Sequence, residues 1–236
     1  LQGLLELAEI KYVGCDMTSS AICMDKYLAH EIVSSNGYLS PISYLFNEKD
    51  SYEMIENKIR NLHFPLFVKP LKAGSSFGIT KIKTISELKE ALKEAFRYDN
   101  KVIIEENVDG FEVGCAVLGT DKLIIGEVDE IELEDGFFDY FEKYNLKTSK
   151  IHLPARISKE ERERIKDTAL AIYKILGCSG FARVDMFYTK DKKIVFNEVN
   201  TIPGCTSHSR YPSMLKEIGI PFEEVIERLI ELGWEK

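Results

Sequence analysis

The feature that most constrains this chain is a pair of apolar runs near its end, GFARVDMFY (180–188) and KIVFNEVNT (193–201), separated by a turn at Lys190–Lys192. Strand-forming runs this close in sequence pair as an antiparallel hairpin, because a parallel pair needs a crossover of a dozen or more residues. Side chains alternate faces along a strand, so Arg183 and Asp185 share one face, and Glu198 and Asn200 share one on the partner. Where those faces coincide, three oxygen donors stand together with a guanidinium beside them. Oxygen donors without His or Cys suit magnesium, which takes one or two carboxylates and completes its octahedron with water and nucleotide phosphates. The alternative is a solvated outer face, and the apolar neighbours of Asp185 and Glu198 weigh against it.

Two further segments can carry chemistry. LFVKP (66–70) ends a buried strand with Lys69 and runs into LKAGSSFG, whose Gly74, Ser75, Ser76 and Gly78 offer backbone N–H groups to a phosphate or form only a turn. The spacing is not that of a Walker loop, which runs from strand to helix as G-x-x-x-x-G-K-[ST]. VIIEENVDGFE then ends a strand with Glu105 and Glu106 and places Glu112 shortly beyond. Carboxylates there hold ribose hydroxyls or simply face water.

The remaining elements follow from periodicity. Leu1–Ile10 reads as a helix, KYVGC as a short strand, and Ser19–Ser35 as one longer helix stopped by Asn36 and Gly37. Residues 51–62 read as helical, ITKIKTI as a return strand, and Ser86 as the cap of a helix carrying Leu88, Ala91, Leu92 and Ala95 on one face. EVGCAVLG and KLIIGEVDEIEL form a hairpin about Thr120 and Asp121. The aromatic, aperiodic stretch 134–152 has the character of a functional lid. Ser158 and Glu161 make a capping box for a helix ended by Gly177, and a last helix starts at Pro221 with Phe222, Val225, Leu229 and Leu232 inward. The fold class is α+β with largely antiparallel sheets.

Thirty-one Lys and Arg against 39 Asp and Glu leave a net charge of −8, which argues against a nucleic-acid partner. The longest apolar runs are far short of the roughly 20 residues of a membrane span. Five cysteines without a C-x-x-C pair indicate buried free thiols in a reducing cytoplasm rather than a disulfide framework or zinc site. An opening amphipathic helix without an initiating Met reads as the tail of a preceding domain.

Together, CMDK (23–26), FVKPLKAGSSFG (67–78), IIEENVDGFEVGC (103–115), FFDYFEKYN, GFARVD (180–185) and NEVNTIPGCTSHS (197–209) occur in an order that resembles the ATP-grasp superfamily. Among its members they resemble the D-alanine:D-alanine ligase family. The resemblance implies two α+β subdomains enclosing ATP: residues 1–20 as the tail of an N-terminal substrate domain, 21–108 as the central subdomain, and 109–236 as the C-terminal one with the lid. It implies that Lys26 and Lys69 hold the nucleotide phosphates, that Ser75 and Ser76 belong to the glycine-rich loop, and that Lys143 and Tyr144 close over ATP. Glu105 and Val108 match the adenine hinge, and Glu112 the ribose carboxylate. Asp185, Glu198 and Asn200 match the ligands of one or two magnesium ions, with manganese as a substitute. Arg183 and the backbone of Gly204 match the groups that stabilise the tetrahedral intermediate, and Ser209 the anchor of the second substrate's carboxylate. A homodimer is implied for the full-length protein.

The implied chemistry passes the γ-phosphate of ATP to the carboxylate of D-alanine, and the amine of a second substrate attacks the acyl phosphate. Both steps develop charge on oxygen, which suits lysines, arginine and magnesium rather than a nucleophilic triad, and a lid protects the acyl phosphate from water. After TSHS, ordinary members usually carry Leu, whereas this chain has Arg210. A guanidinium there can bind a hydroxyl that Leu would leave unpaired. Arg210, the lid stretch EKYNLKTSKIHLPAR and the pair Asp129 and Phe138 look like the D-serine-using ligases of vancomycin-resistance type, and the lid's EKY pattern argues against the D-lactate-using relatives, so the expectation is a D-alanine:D-serine ligase for modified peptidoglycan precursors. The alternatives are a D-alanine:D-alanine ligase of normal wall synthesis and a noncatalytic ATP-binding module. His208 belongs to the substrate loop and is not expected to transfer protons.

Overall fold

The strand-forming runs build two antiparallel sheets that face one another across a cavity. The computed structural model describes residues 1–74, 76–133 and 149–235. The first sheet takes β1 (Ser43–Asn47), β2 (Leu66–Pro70), β3 (Thr80–Ile82) and β4 (Lys101–Glu106) in the order β1-β4-β2-β3. Leu66, Val68 and Ile104 turn one face toward α4 (Tyr52–Ile59) and α5 (Leu88–Ala95), closing a core with Ile55, Ile59, Leu88 and Leu92. By alternation, the paired Phe67 and Glu105 and the paired Lys69 and Ile103 take the opposite face.

The chain crosses to the second sheet over residues 107–109. That sheet holds β5 (Gly110–Leu118), β6 (Ile124–Ile125), β7 (Asp129–Leu133), β8 (Ser149–His152), β9 (Phe181–Thr189) and β10 (Ile194–Asn200), ordered β10-β9-β5-β7-β8 with β6 beside β5. Strand β5 splits its residues between two cores. Val113, Cys115 and Val117 pack toward α6 (Lys159–Ile175), while Ala116 and Leu118 meet α7 (Arg210–Glu217) and α8 (Phe222–Glu235). Strand pairs in both sheets are antiparallel, and one parallel bridge joins Leu39 to Val195. Among the described residues no helix is long and apolar enough to cross a membrane.

Several local expectations are corrected. The first helix is shorter than Leu1–Ile10: α1 covers Gln2–Leu7. KYVGC forms no strand: Gly14 takes φ +103°, and a Cβ on Gly180 would stand 2.9 Å from the Gly14 backbone, so two chain segments cross where only glycines fit. The helix expected over Ser19–Ser35 is two, α2 (Met17–Met24) and α3 (Lys26–Ser35). Asp25, extended at ψ 95°, ends the first and caps the second through Leu28 N–H at 3.0 Å, as Asp16 caps α2 through Ser19 N–H at 2.7 Å. Both helices pack into the core of the second sheet through Cys23, Ala29 and Val33. Thr84 rather than Ser86 opens the next helical segment, a 3-10 turn over Ile85–Glu87 that leads into α5. The run KLIIGEVDEIEL divides into β6 and β7. The Ser158–Glu161 capping box is present, with reciprocal bonds of 3.2 and 2.9 Å. All five cysteines are free; four are buried, and Cys205 is half-buried at the edge of its loop.

Candidate active site

Between the sheets lies a cavity of about 420 Å³, within the range of small-molecule sites. Its polar lining includes Lys26, Lys69, Ser76, Glu105, Glu112 and Glu198, and its apolar lining Phe67, Val108, Phe111 and Phe187. The nucleotide-site residues expected from the sequence that lie among the described residues thus converge on one space. Ser75, Phe138, Lys143 and Tyr144 lie outside the described residues.

One wall is cationic and fixed. Lys69 and Glu105, from adjacent strands, form a buried ion pair, and the Lys69 ammonium also lies 5.4 Å from the centre of the Phe67 ring. A buried charge without a partner costs several kcal/mol, so the pair holds the ammonium in place. Lys26, the first residue of α3, donates to the Ala73 carbonyl at 2.8 Å and tethers the glycine-rich loop. Ser76 in that loop takes φ +59°.

The other wall carries Glu112 and Glu198, the cavity-lining members of a carboxylate and guanidinium network whose Arg183, Asp185, Asn200, Asp129 and Arg210 lie behind the lining. Arg183 grips Asp185 with two bonds of 2.7 Å. Asn200 donates to Asp185 at 2.7 Å and to Glu198 at 3.4 Å. Glu198 pairs across from Asp185 and Asn200 across from Arg183, because the ladder shifts by one residue between Phe196 and Glu198. The faces inferred from alternation do coincide.

Arg210 does not stand as a free guanidinium. Its Nε and Nη2 donate to Asp129 at 2.7 and 2.8 Å and its Nη1 to Glu112 at 3.1 Å, with Asp185 3.7 Å away. Burial works against its charge, but Asp129 and Asp185 more than offset this and hold its pKa well above the ordinary arginine value. Burial likewise opposes the Arg183 charge, and Asp185 reverses the sign. Gly114 leaves room for the network: a Cβ there would lie 2.4 Å from Arg210 Nη2 and 2.8 Å from Asp129 Oδ1. Gly204 and Ser209 do not line the cavity. They stand at the loop entering α7, where the Ser209 hydroxyl accepts from Thr206 N–H at 3.1 Å and a Cβ on Gly204 would be 3.1 Å away.

The donor set fits magnesium. Two guanidiniums face four carboxylates (Glu112, Asp129, Asp185, Glu198), leaving negative charge that a divalent cation would offset. Among the described residues no three His, Cys, Asp or Glu side chains gather as a metal cluster, so the set is two carboxylates and the Asn200 amide. Turning that amide about its last bond brings its oxygen beside both carboxylates, and oxygen and nitrogen are exchanged by a simple flip. Nucleotide phosphates would fill the remaining positions.

Sequence reasoning missed part of the lining. Glu130, Glu132 and Arg156 also border the cavity. Arg156 donates to Glu130 at 2.6 Å and to Glu132 at 3.2 Å, and His152 meets Glu132 at 2.7 Å. Burial alone would raise the Glu130 pKa, yet the bonds from Arg156 bring it below the usual carboxylate range. Phe187 was missed as well, although alternation could have found it, since it lies two residues beyond Asp185 on the same strand. Arg156 carried no periodic signal.

Residues 41–231 match the family profile described as D-ala D-ala ligase C-terminus. The chain is 58% identical to the crystal structure of the VanG D-Ala:D-Ser ligase from Enterococcus faecalis, covering 98% of this chain and 68% of that one with a TM-score of 0.92. It is 44% identical to the vancomycin C-type resistance protein VanC2 of Enterococcus casseliflavus, over 100% of this chain and 68% of that protein. It is also 45% identical to the D-alanine--D-alanine ligase of Caldicellulosiruptor bescii, over 100% of this chain and 66% of that enzyme.

Proposed function

The chain belongs to the D-alanine:D-alanine ligase family, and within it we propose a D-alanine:D-serine ligase that works through a D-alanyl phosphate. The family is ATP-dependent and generally uses magnesium. Arg210 is the observation that carries the choice of D-serine. A guanidinium fixed between Asp129 and Glu112 gives a hydroxyl donors and acceptors to exchange with, directly or through one water, where an apolar side chain would leave it unpaired. The similarity to the VanG D-Ala:D-Ser ligase supports the same reading.

In this reading Lys26 and Lys69 hold the ATP phosphates, the Glu105–Val108 segment meets the adenine edge, and Glu112 meets the ribose. Magnesium, or manganese in its place, held by Asp185, Glu198 and Asn200, neutralises phosphate charge. Arg183 and the Gly204 N–H stabilise oxygen charge as the second amine attacks, and Ser209 anchors that substrate's carboxylate. Ser75, Lys143, Tyr144 and Phe138 lie outside the described residues; the first three are assigned to excluding water and Phe138 to acceptor choice.

Competition between equal concentrations of D-serine and D-alanine in the full-length protein tests the proposal. D-alanyl-D-serine is the expected major product. D-alanyl-D-alanine in equal or greater yield would assign the chain to ordinary wall synthesis. Arg210→Leu is expected to lower the D-serine preference about tenfold, and unchanged selectivity would remove Arg210 from the argument.

A further inference from the structure

Strand β10 has an irregularity on which the geometry of the carboxylate site depends. Val195 and Phe196 pair with Phe187 and Met186, after which Glu198, Val199 and Asn200 pair with Asp185, Val184 and Arg183. Asn197 is the extra residue of a β-bulge. Without it, Asn197 would stand opposite Asp185, and Glu198 would stand opposite Val184, which is wholly buried in the core. The burial pattern shows the same shift: Phe196 and Val199, three apart, both enter that core, which strict alternation forbids.

A bulge needs its freed backbone groups satisfied. Strand β10 is an edge of its sheet. The Phe196 N–H finds the Leu39 carbonyl at 2.8 Å, and the Asn197 carbonyl meets His30 Nε2 at 2.8 Å. A carbonyl only accepts, so Nε2 carries the proton. His30 lies one helical turn after Lys26 on α3, is 3% exposed, and meets the Phe196 ring edge-on at 5.6 Å. Its Nδ1 has no hydrogen-bond partner among the described residues. An apolar side chain would fill the same space without that buried, unsatisfied nitrogen, so the imidazole's distinctive contribution is its bond to the bulge. His30 does not line the cavity and therefore acts through Asn197.

We propose that His30 is a positioning residue: its Nε2–H holds the Asn197 bulge and thereby sets Glu198 opposite Asp185 in the metal site. The inference rests on the magnesium-site reading above. Mn²⁺ serves as the probe, its binding followed by electron paramagnetic resonance in full-length protein saturated with a nonhydrolysable ATP analogue. His30→Phe and His30→Leu each remove the donor while filling the space differently, so a folding failure of one leaves the other informative. Either is expected to weaken Mn²⁺ binding by about tenfold or more, as loss of an outer-shell partner does. His30→Gln, whose amide nitrogen can reach the Nε2 position, is expected to restore affinity to within about threefold, while its melting temperature follows that of the Phe variant. Wild-type Mn²⁺ affinity in the Phe and Leu variants would overturn the proposal, as would a Gln variant no better than they are. Absence of Mn²⁺ binding in the wild-type protein would overturn the metal-site reading itself.

Discussion

At the scale of single residues, Arg210 shows how burial changes the value of a charge. Its side chain is 11% exposed, and its bonds go to Asp129, 1% exposed, and Glu112. Removing Arg210 alone leaves both Asp129 and Glu112 short of a partner in a medium that solvates carboxylates poorly, whereas removing Arg210 and Asp129 together leaves only Glu112 so affected. Arg210→Leu is therefore expected to cost about 3–5 kcal/mol in urea unfolding. The double variant Arg210→Leu with Asp129→Leu is expected to recover more than half of that, a coupling read from the double-mutant cycle. Additive losses would show that the pair is energetically unimportant and that Arg210 serves the acceptor alone. The partnership was not legible from spacing, because 81 residues separate the two side chains. Alternation grouped Arg183 with Asp185 and Glu198 with Asn200, but only the folded sheets show which faces meet.

At the scale of elements, local signals were read well and interruptions were not. The Ser158–Glu161 capping box was legible because both partners lie within one turn, and it starts α6 as expected. The break at Asp25 was not, since apolar spacing continues across it and only a side chain capping three residues ahead reveals the division. The bulge at Asn197 was not read either, although the spacing of Phe196 and Val199, three apart, departs from strict alternation. The capping box also has a definite pH signature. Lys192 and then the Ser158 N–H hold the Glu161 carboxyl down at about 2. A depressed carboxylate pKa contributes stability that is complete above its unfolded value, about 4.5, and is lost as pH falls toward 2. Glu161→Gln is expected to flatten the pH dependence of unfolding between about 4.5 and 2 while leaving its slope above pH 5 unchanged. Ser158→Ala, which keeps the carboxylate but removes the cap, is expected to cost about 1 kcal/mol at neutral pH. Urea titrations at a series of pH values check both, and a slope unchanged in Glu161→Gln would reject the assignment.

At the scale of the whole molecule, the two sheets keep separate apolar cores and present charged faces to a shared cavity. A ligand engaging both faces stabilises the folded chain in proportion to its binding and adds nothing to the unfolded one. A nonhydrolysable ATP analogue with magnesium at 100 times its dissociation constant is thus expected to add about 2.7 kcal/mol. For a chain of this size that raises the melting midpoint by roughly 5–10 °C, measurable by calorimetry. Lys69→Met isolates the first sheet's part, because it removes the ammonium paired with Glu105 while leaving Asp185, Glu198 and Asn200 in place. The ligand-induced rise should then fall to a small fraction of the wild-type value at the same analogue concentration, and adding more magnesium should not restore it. An undiminished rise would mean that the phosphates rest on Lys26 and the glycine-rich loop alone, and that the buried Lys69–Glu105 pair serves only to shape the wall.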